Sequence, residues 1–297
     1  MRVFFLLTVI VVGCGDLSKT LPQSTGKNSE VVFVVEDILW QQSIDTLASR
    51  IFEAPIMGIN QREPLFKIIQ IKNSELKSFL KLHKNIIIIS REEGQLAQTN
   101  KWAADQYVAQ VYFNQNYHQL SQDLMNLREI FIKKEVNMLK RVISKNSQKK
   151  IEADLLANFG ITCLIPEEYE IINNEKNFFW ATYNPQQSEE IKKILVFSFT
   201  PNTINLQGEV LSRTDSVFNR YLKGSKEESF VKIEPQYPPY YSNNVYRGLW
   251  RMQGGFMGGV FLFKTYFLKE KVVIACGLVF APQSQKRKYI KEFEAIL

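Results

Sequence analysis

Apolar residues fill Val3–Val12 with a single break, and residues 16–30 (DLSKTLPQSTGKNSE) are then mostly polar. From Glu30 onward short apolar runs alternate with longer stretches of helical spacing. Glu30–Val35, Pro64–Ile71, Asn85–Ser90 (NIIIIS) and Asp105–Phe113 read as strands, and NIIIIS, apolar on both faces, as a central one. Ile38, Leu39, Ile44, Leu47, Ala48, Ile51 and Phe52 keep a helical period that Pro55 and Gly58 end. Asn73-Ser74-Glu75 opens a short helix to Leu82, and a polar loop joins the third and fourth strands. The order β-α-β-α-β-β predicts an α/β layer. Tyr117, Leu120, Leu124, Leu127, Phe131, Met138 and Val142 then space a long helix over 115–145. It is expected to lie on the sheet, with Lys133, Lys134, Lys140 and Arg141 on its far side, read as a solvated face, with docking to a membrane or an acidic polymer as the alternative.

The wholly polar stretch 144–150 (SKNSQKK) marks a boundary. Beyond it, a helix over 151–159 closes at Gly160, a C-terminal cap position. Short strands follow at 161–165, 169–172, 178–183 and 194–199, then an amphipathic helix over 210–222. Four more strands (230–233, 246–253, 259–268, 271–280) lead to a closing helix over 285–297. The expected fold is therefore α/β followed by α+β, the second part a mainly antiparallel sheet with flanking helices. The division runs 1–13, 14–29, 30–146 and 147–297.

The run Val3–Val12 is ten residues, whereas a spanning helix needs roughly 20. A basic start, a brief apolar run and a small residue before Cys14 describe a secretory signal. Val11-Val12-Gly13-Cys14 resembles the lipobox of bacterial lipoproteins; the competing reading is a first strand ending in Gly-Cys-Gly. The resemblance implies a signal peptide over 1–13, acylation of Cys14 and a flexible tether over 14–29. It places the protein in a bacterial cell envelope, held to a membrane by its lipid, with the outer membrane facing the periplasm as the expected site. Two or more acyl chains make such an attachment stable, where one holds only marginally.

At 45% hydrophobic and 23% charged, the 297-residue chain is ordinary globular material. Removing 1–13 takes Arg2 and lowers the net charge from +7 to +6. That excess suits anionic headgroups or acidic polymers, and equally plain solubility; nucleic acid is not an expected partner of an exported protein. Cys163 and Cys276 sit in apolar runs and read as small hydrophobes, with a bridge between them open in an oxidising compartment.

Several stretches are familiar together: Asp37-Ile38-Leu39-Trp40, His83 to Ile87, Asn100-Lys101-Trp102-Ala103 and Gly160 to Pro166. Further on come Asn177-Phe178-Phe179-Trp180, Arg247-Gly248-Leu249-Trp250, Gly254 to Gly259 and Phe280-Ala281-Pro282. In this order they resemble the uncharacterised Bacteroidetes lipoproteins grouped as domain-of-unknown-function family 4837, over nearly the whole mature chain. The resemblance implies a lipid anchor and an exported location, and brings no activity. The second half also looks faintly like a PsbP-type sandwich, a likeness of fold that carries no function.

No catalytic set, cofactor site or metal site is legible. Two histidines exclude a three-histidine or HExxH zinc centre, no G-x-S-x-G is present, and neither buried-type cysteine has an activating neighbour. His118 reads as a surface residue and His83 as a cap on the preceding helix. The acidic pairs Glu36-Asp37, Glu92-Glu93 and Glu167-Glu168 fall at element ends, where they complement helix dipoles. The candidate ligand contacts are Tyr237 and Tyr240, in a proline-rich extended stretch, and Arg247, Trp250 and Arg251. Arg247 and Arg251, four apart on a strand, are expected on one face, with Trp250 and Met252 on the other. These readings favour a binding or scaffolding protein whose partner is an envelope protein, a glycan or an anionic ligand. The alternative is an envelope hydrolase acting on glycan or peptide through a carboxylate pair.

Overall fold

The computed structural model describes residues 20–94 and 96–297; the signal segment, Cys14 and the first part of the tether lie outside them. The first half runs β1 (Glu30–Val34), α1 (Asp37–Leu39), a π-turn (Trp40–Ile44), α2 (Asp45–Phe52), β2 (Lys67–Ile71) and a 3-10 turn (Asn73–Glu75). It continues with α3 (Ser78–Lys81), β3 (Asn85–Ser90), β4 (Leu96–Thr99), β5 (Tyr107–Tyr112) and α4 (Tyr117–Lys145). The second half holds α5 (Lys149–Phe159), β6 (Glu170–Asn174), β7 (Phe178–Tyr183), β8 (Ile191–Phe199) and α6 (Leu206–Tyr221). Then come β9 (Phe230–Ile233), β10 (Tyr240–Ser242), β11 (Val245–Gln253), β12 (Gly258–Phe267), β13 (Val272–Phe280) and α7 (Arg287–Ile296).

The first sheet has the order β2-β1-β3-β5-β4, with β2, β1, β3 and β5 parallel and β4 antiparallel at the edge. Its inner strands β1, β3 and β5 are mostly apolar because both of their faces are covered. Val31 and Phe33 pack under α2 and α4 beside Phe52, Phe66 and Phe131, while Val32 and Val34 meet Leu76, Leu80 and Trp102 on the other face. The second sheet is antiparallel, ordered β10-β11-β12-β13-β8-β7-β6, with β9 also pairing β11. One face carries α5 and α7 and the other carries α6, each over its own core. The fold is thus α/β followed by α+β.

The halves are joined by buried polar contacts. Glu135, 2% exposed on α4, faces Lys291 of α7 and accepts a hydrogen bond from the Ser29 backbone N–H at 2.7 Å. Lys291 also donates to the Ser29 hydroxyl at 2.7 Å. Glu63 accepts from the backbone N–H groups of Lys286 (2.6 Å) and Arg287 (2.8 Å). It thereby caps α7 from the other half, where no side chain of the helix's own cap does so.

Several expectations are corrected. Residues 161–165 form no strand; they pass through the core in irregular form, Leu164 N–H donating to the Ile296 carbonyl. The loop after β3 contains β4, an exposed edge strand too polar for the apolar period to reveal. Lys134 does not face solvent: its ammonium donates to the Lys84 carbonyl at 2.6 Å, and burial lowers it to about 8. His83 caps no helix; it is buried, and its Nδ1 accepts the Asn85 N–H at 3.3 Å. Burial holds this imidazole below its ordinary range. The tether is docked from residue 22: Gln23 bridges Ala104, Thr25 bridges His83, and the Ala104 N–H donates to the Pro22 carbonyl. Its polar composition hid this because the contacts are made by backbone.

Candidate functional site

The five residues singled out in the second half do not form one site. β11 alternates as a strand must, placing Val245 and Leu249 over one core and Tyr246 and Trp250 over the other. Trp250 is 6% exposed and its indole N–H donates to the Val279 carbonyl at 3.2 Å. It packs in the core and also borders a cleft. Tyr240 and Arg247 line a cleft of about 470 Å³ between the halves, together with Arg128 and Ile290. Tyr237 and Arg251 line a separate cleft of about 390 Å³, with Trp250 in its wall.

The segment between α2 and β2 divides these clefts. Ala54–Met57 border the first, and Asn60 and Gln61 border the second. Between them Gly58, at φ 87°, lies so close to β11 that a Cβ would stand 2.5 Å from the Arg247 carbonyl oxygen. Each arginine also has a carboxylate, Glu294 at 2.5 Å from Arg247 and Glu234 at 3.5 Å from Arg251. The two-arginine face exists in register, but it is divided and neutralised. Pro235–Pro239 is extended only in part, and Tyr240 begins an edge strand paired with Arg247.

Cys163 and Cys276 are free and fully buried. They belong to the cores on opposite sides of the second sheet, so they do not pair. Burial pushes the Cys163 thiol to about 12 and the Cys276 thiol well above its ordinary value. Neither is a nucleophile near neutral pH.

A larger crevice, about 690 Å³, opens at the carboxyl ends of β1 and β3. Here the chain crosses from β1 to β2 on one side and returns from β2 to β3, so strand order reverses. Open parallel sheets bind ligands at such a switch point, because neighbouring loops diverge and leave a gap there. Ile38, Leu39, Ile88 and Ile89 supply apolar lining. Arg91 projects from the end of β3, exposed and without an ion-pair partner among the described residues. Glu36 accepts the Asn73 N–H at 3.4 Å, and the Ser90 hydroxyl accepts the Glu92 N–H at 3.0 Å, so both turns are pinned.

The neighbouring Asp37 takes Lys72 at 2.7 Å and the Gln70 amide at 3.2 Å. The hydrogen bond from Lys72 holds its carboxyl below the ordinary range. Just beyond, the helix carries the π-turn, where Ser43 adopts φ 130°, a strained geometry that π-bulges concentrate near functional sites. Chemically the crevice offers an apolar wall, the guanidinium of Arg91 and the carboxylates of Glu36 and Glu92. Sequence reasoning passed over Ile38 and Arg91 because no motif marks them; the strand order does. Among the described residues no group of three or more His, Cys, Asp or Glu is placed to hold a metal ion. No helix among them is long and apolar enough to cross a membrane.

An open parallel layer with a crevice at its switch point, joined to an antiparallel sheet covered on both faces, defines a two-part mixed α/β protein. The chain belongs to the family described as Domain of unknown function (DUF4837), whose model matches residues 147–297. A second model, Domain of unknown function (DUF8532), matches residues 24–144. The expected family is therefore the right one, but its match covers the second half and not nearly the whole mature chain; the first half is similar to a different model. No curated protein matches. A solved structure from Bacteroides thetaiotaomicron VPI-5482 is similar at 12% identity and a TM-score of 0.20, over 44% of this chain and 41% of that one. This chain thus spans less than half of that protein's length, and a likeness of this size carries no argument.

Proposed function

We propose that this is an exported lipoprotein, anchored to a membrane of the bacterial envelope through Cys14, that binds a ligand or partner in the crevice at the carboxyl ends of β1 and β3. The observation that supports the binding role is the combination, at a topological switch point, of an apolar lining with an unpaired Arg91. The sequence Val11-Val12-Gly13-Cys14 supports the anchor. The outer membrane, with the protein facing the periplasm, is the proposed location.

Two experiments test this. A metabolically supplied fatty-acid analogue tags the wild type and not Cys14→Ser; tag retained on the serine variant contradicts the anchor. Envelope-derived peptides, glycan fragments and lipid-like acids are then screened by thermal shift, since a ligand that binds only the folded state raises its stability. Ile38→Trp, which fills the crevice, and Arg91→Ala each abolish the shift. A shift that survives both places binding elsewhere.

One observation favours the hydrolase reading: Glu36 and Glu92 line the same crevice, as a carboxylate pair must. Turnover of an envelope glycan or peptide that disappears in both Glu36→Gln and Glu92→Gln supports it. Binding without turnover supports the first reading.

A further inference from the structure

The docked tether fixes which end of the molecule the anchor reaches. Pro22 to Thr25 run across the amino ends of the parallel strands: Thr25 donates its hydroxyl to the Phe79 carbonyl at 3.0 Å and its backbone N–H to the Leu82 carbonyl at 2.9 Å. The next residue, Gly26 (φ 86°), rests so closely on the His83 ring that a Cβ would lie 2.2 Å from Nε2. From Cys14 to Thr20 there are six residue steps, which span at most about 20 Å. An acyl group on Cys14 therefore holds this end of the first sheet close to the headgroups.

The surface at that end suits a bilayer. Phe79 is 63% exposed and Leu21 is 42% exposed. Trp102 lies between two ammonium groups, Lys81 at 4.9 Å and Lys101 at 4.7 Å from the ring centre. Lys27, which follows Gly26 on the docked segment, is exposed, its backbone N–H donating to Glu30 at 2.8 Å. Aromatic and aliphatic side chains flanked by lysines are the pattern that settles at a membrane interface, rings at headgroup depth and ammonium groups on anionic lipid. Phe79 belongs to none of the hydrophobic clusters of the described residues.

We infer that Leu21, Phe79 and Trp102, with Lys27, Lys81 and Lys101, form a membrane-contact surface for an anionic phospholipid bilayer, so that the first sheet stands with the amino ends of its parallel strands on the membrane. The crevice, at the carboxyl ends of the same strands, then opens away from the bilayer. The orientation rests on the Cys14 anchor proposed above.

The test uses the lipid-modified full chain in vesicles of phosphatidylethanolamine and phosphatidylglycerol. With Cys163 and Cys276 buried and Cys14 acylated, an environment-sensitive fluorophore is attached at Phe79→Cys or, for comparison, at Ile38→Cys. The probe at 79 shifts to the blue and is quenched by nitroxide-bearing lipid; the probe at 38 does neither. Lys81→Glu with Lys101→Glu reduces the quenching at 79. In the unlipidated Cys14→Ser chain the same pair lowers partitioning by about 25-fold or more, each lysine contributing about fivefold. Equal quenching at 79 and 38 in tagged protein overturns the surface and leaves the anchor standing. Absence of the fatty-acid tag on the wild type overturns the anchor itself, and the orientation with it.

Discussion

The two sheets use their strands in opposite ways. In the first, parallel strands send every carboxyl end in one direction, so the loops that follow β1 and β3 gather at one end and part at the switch point. In the second, antiparallel strands alternate direction, and helices cover both faces with packed side chains. Open space there remains where the first half leans on β11, beside the start of α6, and between the loops that precede β8 and follow β13. Polar groups follow the same division. Arg247, Arg251 and Lys291 each have a carboxylate, whereas Arg91 projects beside the crevice with none among the described residues. Direction of strands, more than content of aromatics or arginines, decides which half offers a site.

The strongest way to break this arrangement is at the seam. Glu135→Ala leaves Lys291 buried and unpaired, and removing one member of a buried pair costs about 3–5 kcal/mol. Urea unfolding is expected to show that loss, and Glu135→Leu with Lys291→Met to recover most of it. Next comes the segment that divides the β11 clefts. Gly58→Val places a branched Cβ at φ 87° against the Arg247 carbonyl, at a cost of about 1–3 kcal/mol; an unchanged midpoint would show that the segment is not seated there.

A smaller effect is pH-dependent. Burial lowers Lys134 to about 8 from an ordinary 10.5. The unfolded chain therefore holds the extra proton between those values, and stability rises with pH across that window. In Lys134→Met that rise flattens, measured as unfolding free energy against pH. The smallest effect on stability belongs to Arg91→Ala, within about 0.5 kcal/mol as for an exposed side chain without partners, although ligand-induced stabilisation is lost.

Most of the fold was legible from periodicity. NIIIIS is central as its two-faced apolarity requires, and the long spacing from Tyr117 gives α4, one continuous helix. What periodicity missed was made by backbone or by a partner. Residues 22–25 dock through main-chain bonds, β4 pairs as an exposed edge, and residues 161–165, buried except for Thr162, form no strand. The arrangement around the candidate ligand contacts has a related cause. Local composition brings Tyr237, Tyr240, Arg247 and Arg251 together, but Gly58 and the carboxylates of Glu234 and Glu294, distant in sequence, divide and occupy their face. Ile38 and Arg91 meet at one crevice only because β1 and β3 are neighbours in the sheet, and no stretch of sequence states that adjacency.

The most direct test of the central claim is position-specific photo-crosslinking in the native envelope, with the reactive side chain placed at Ile38 in one strain and at Tyr240 in another. Position 38 is expected to give a discrete adduct that disappears when Arg91→Ala is added, and position 240 none of comparable yield. A discrete adduct from 240 with none from 38 would contradict it, placing recognition in the cleft between the halves.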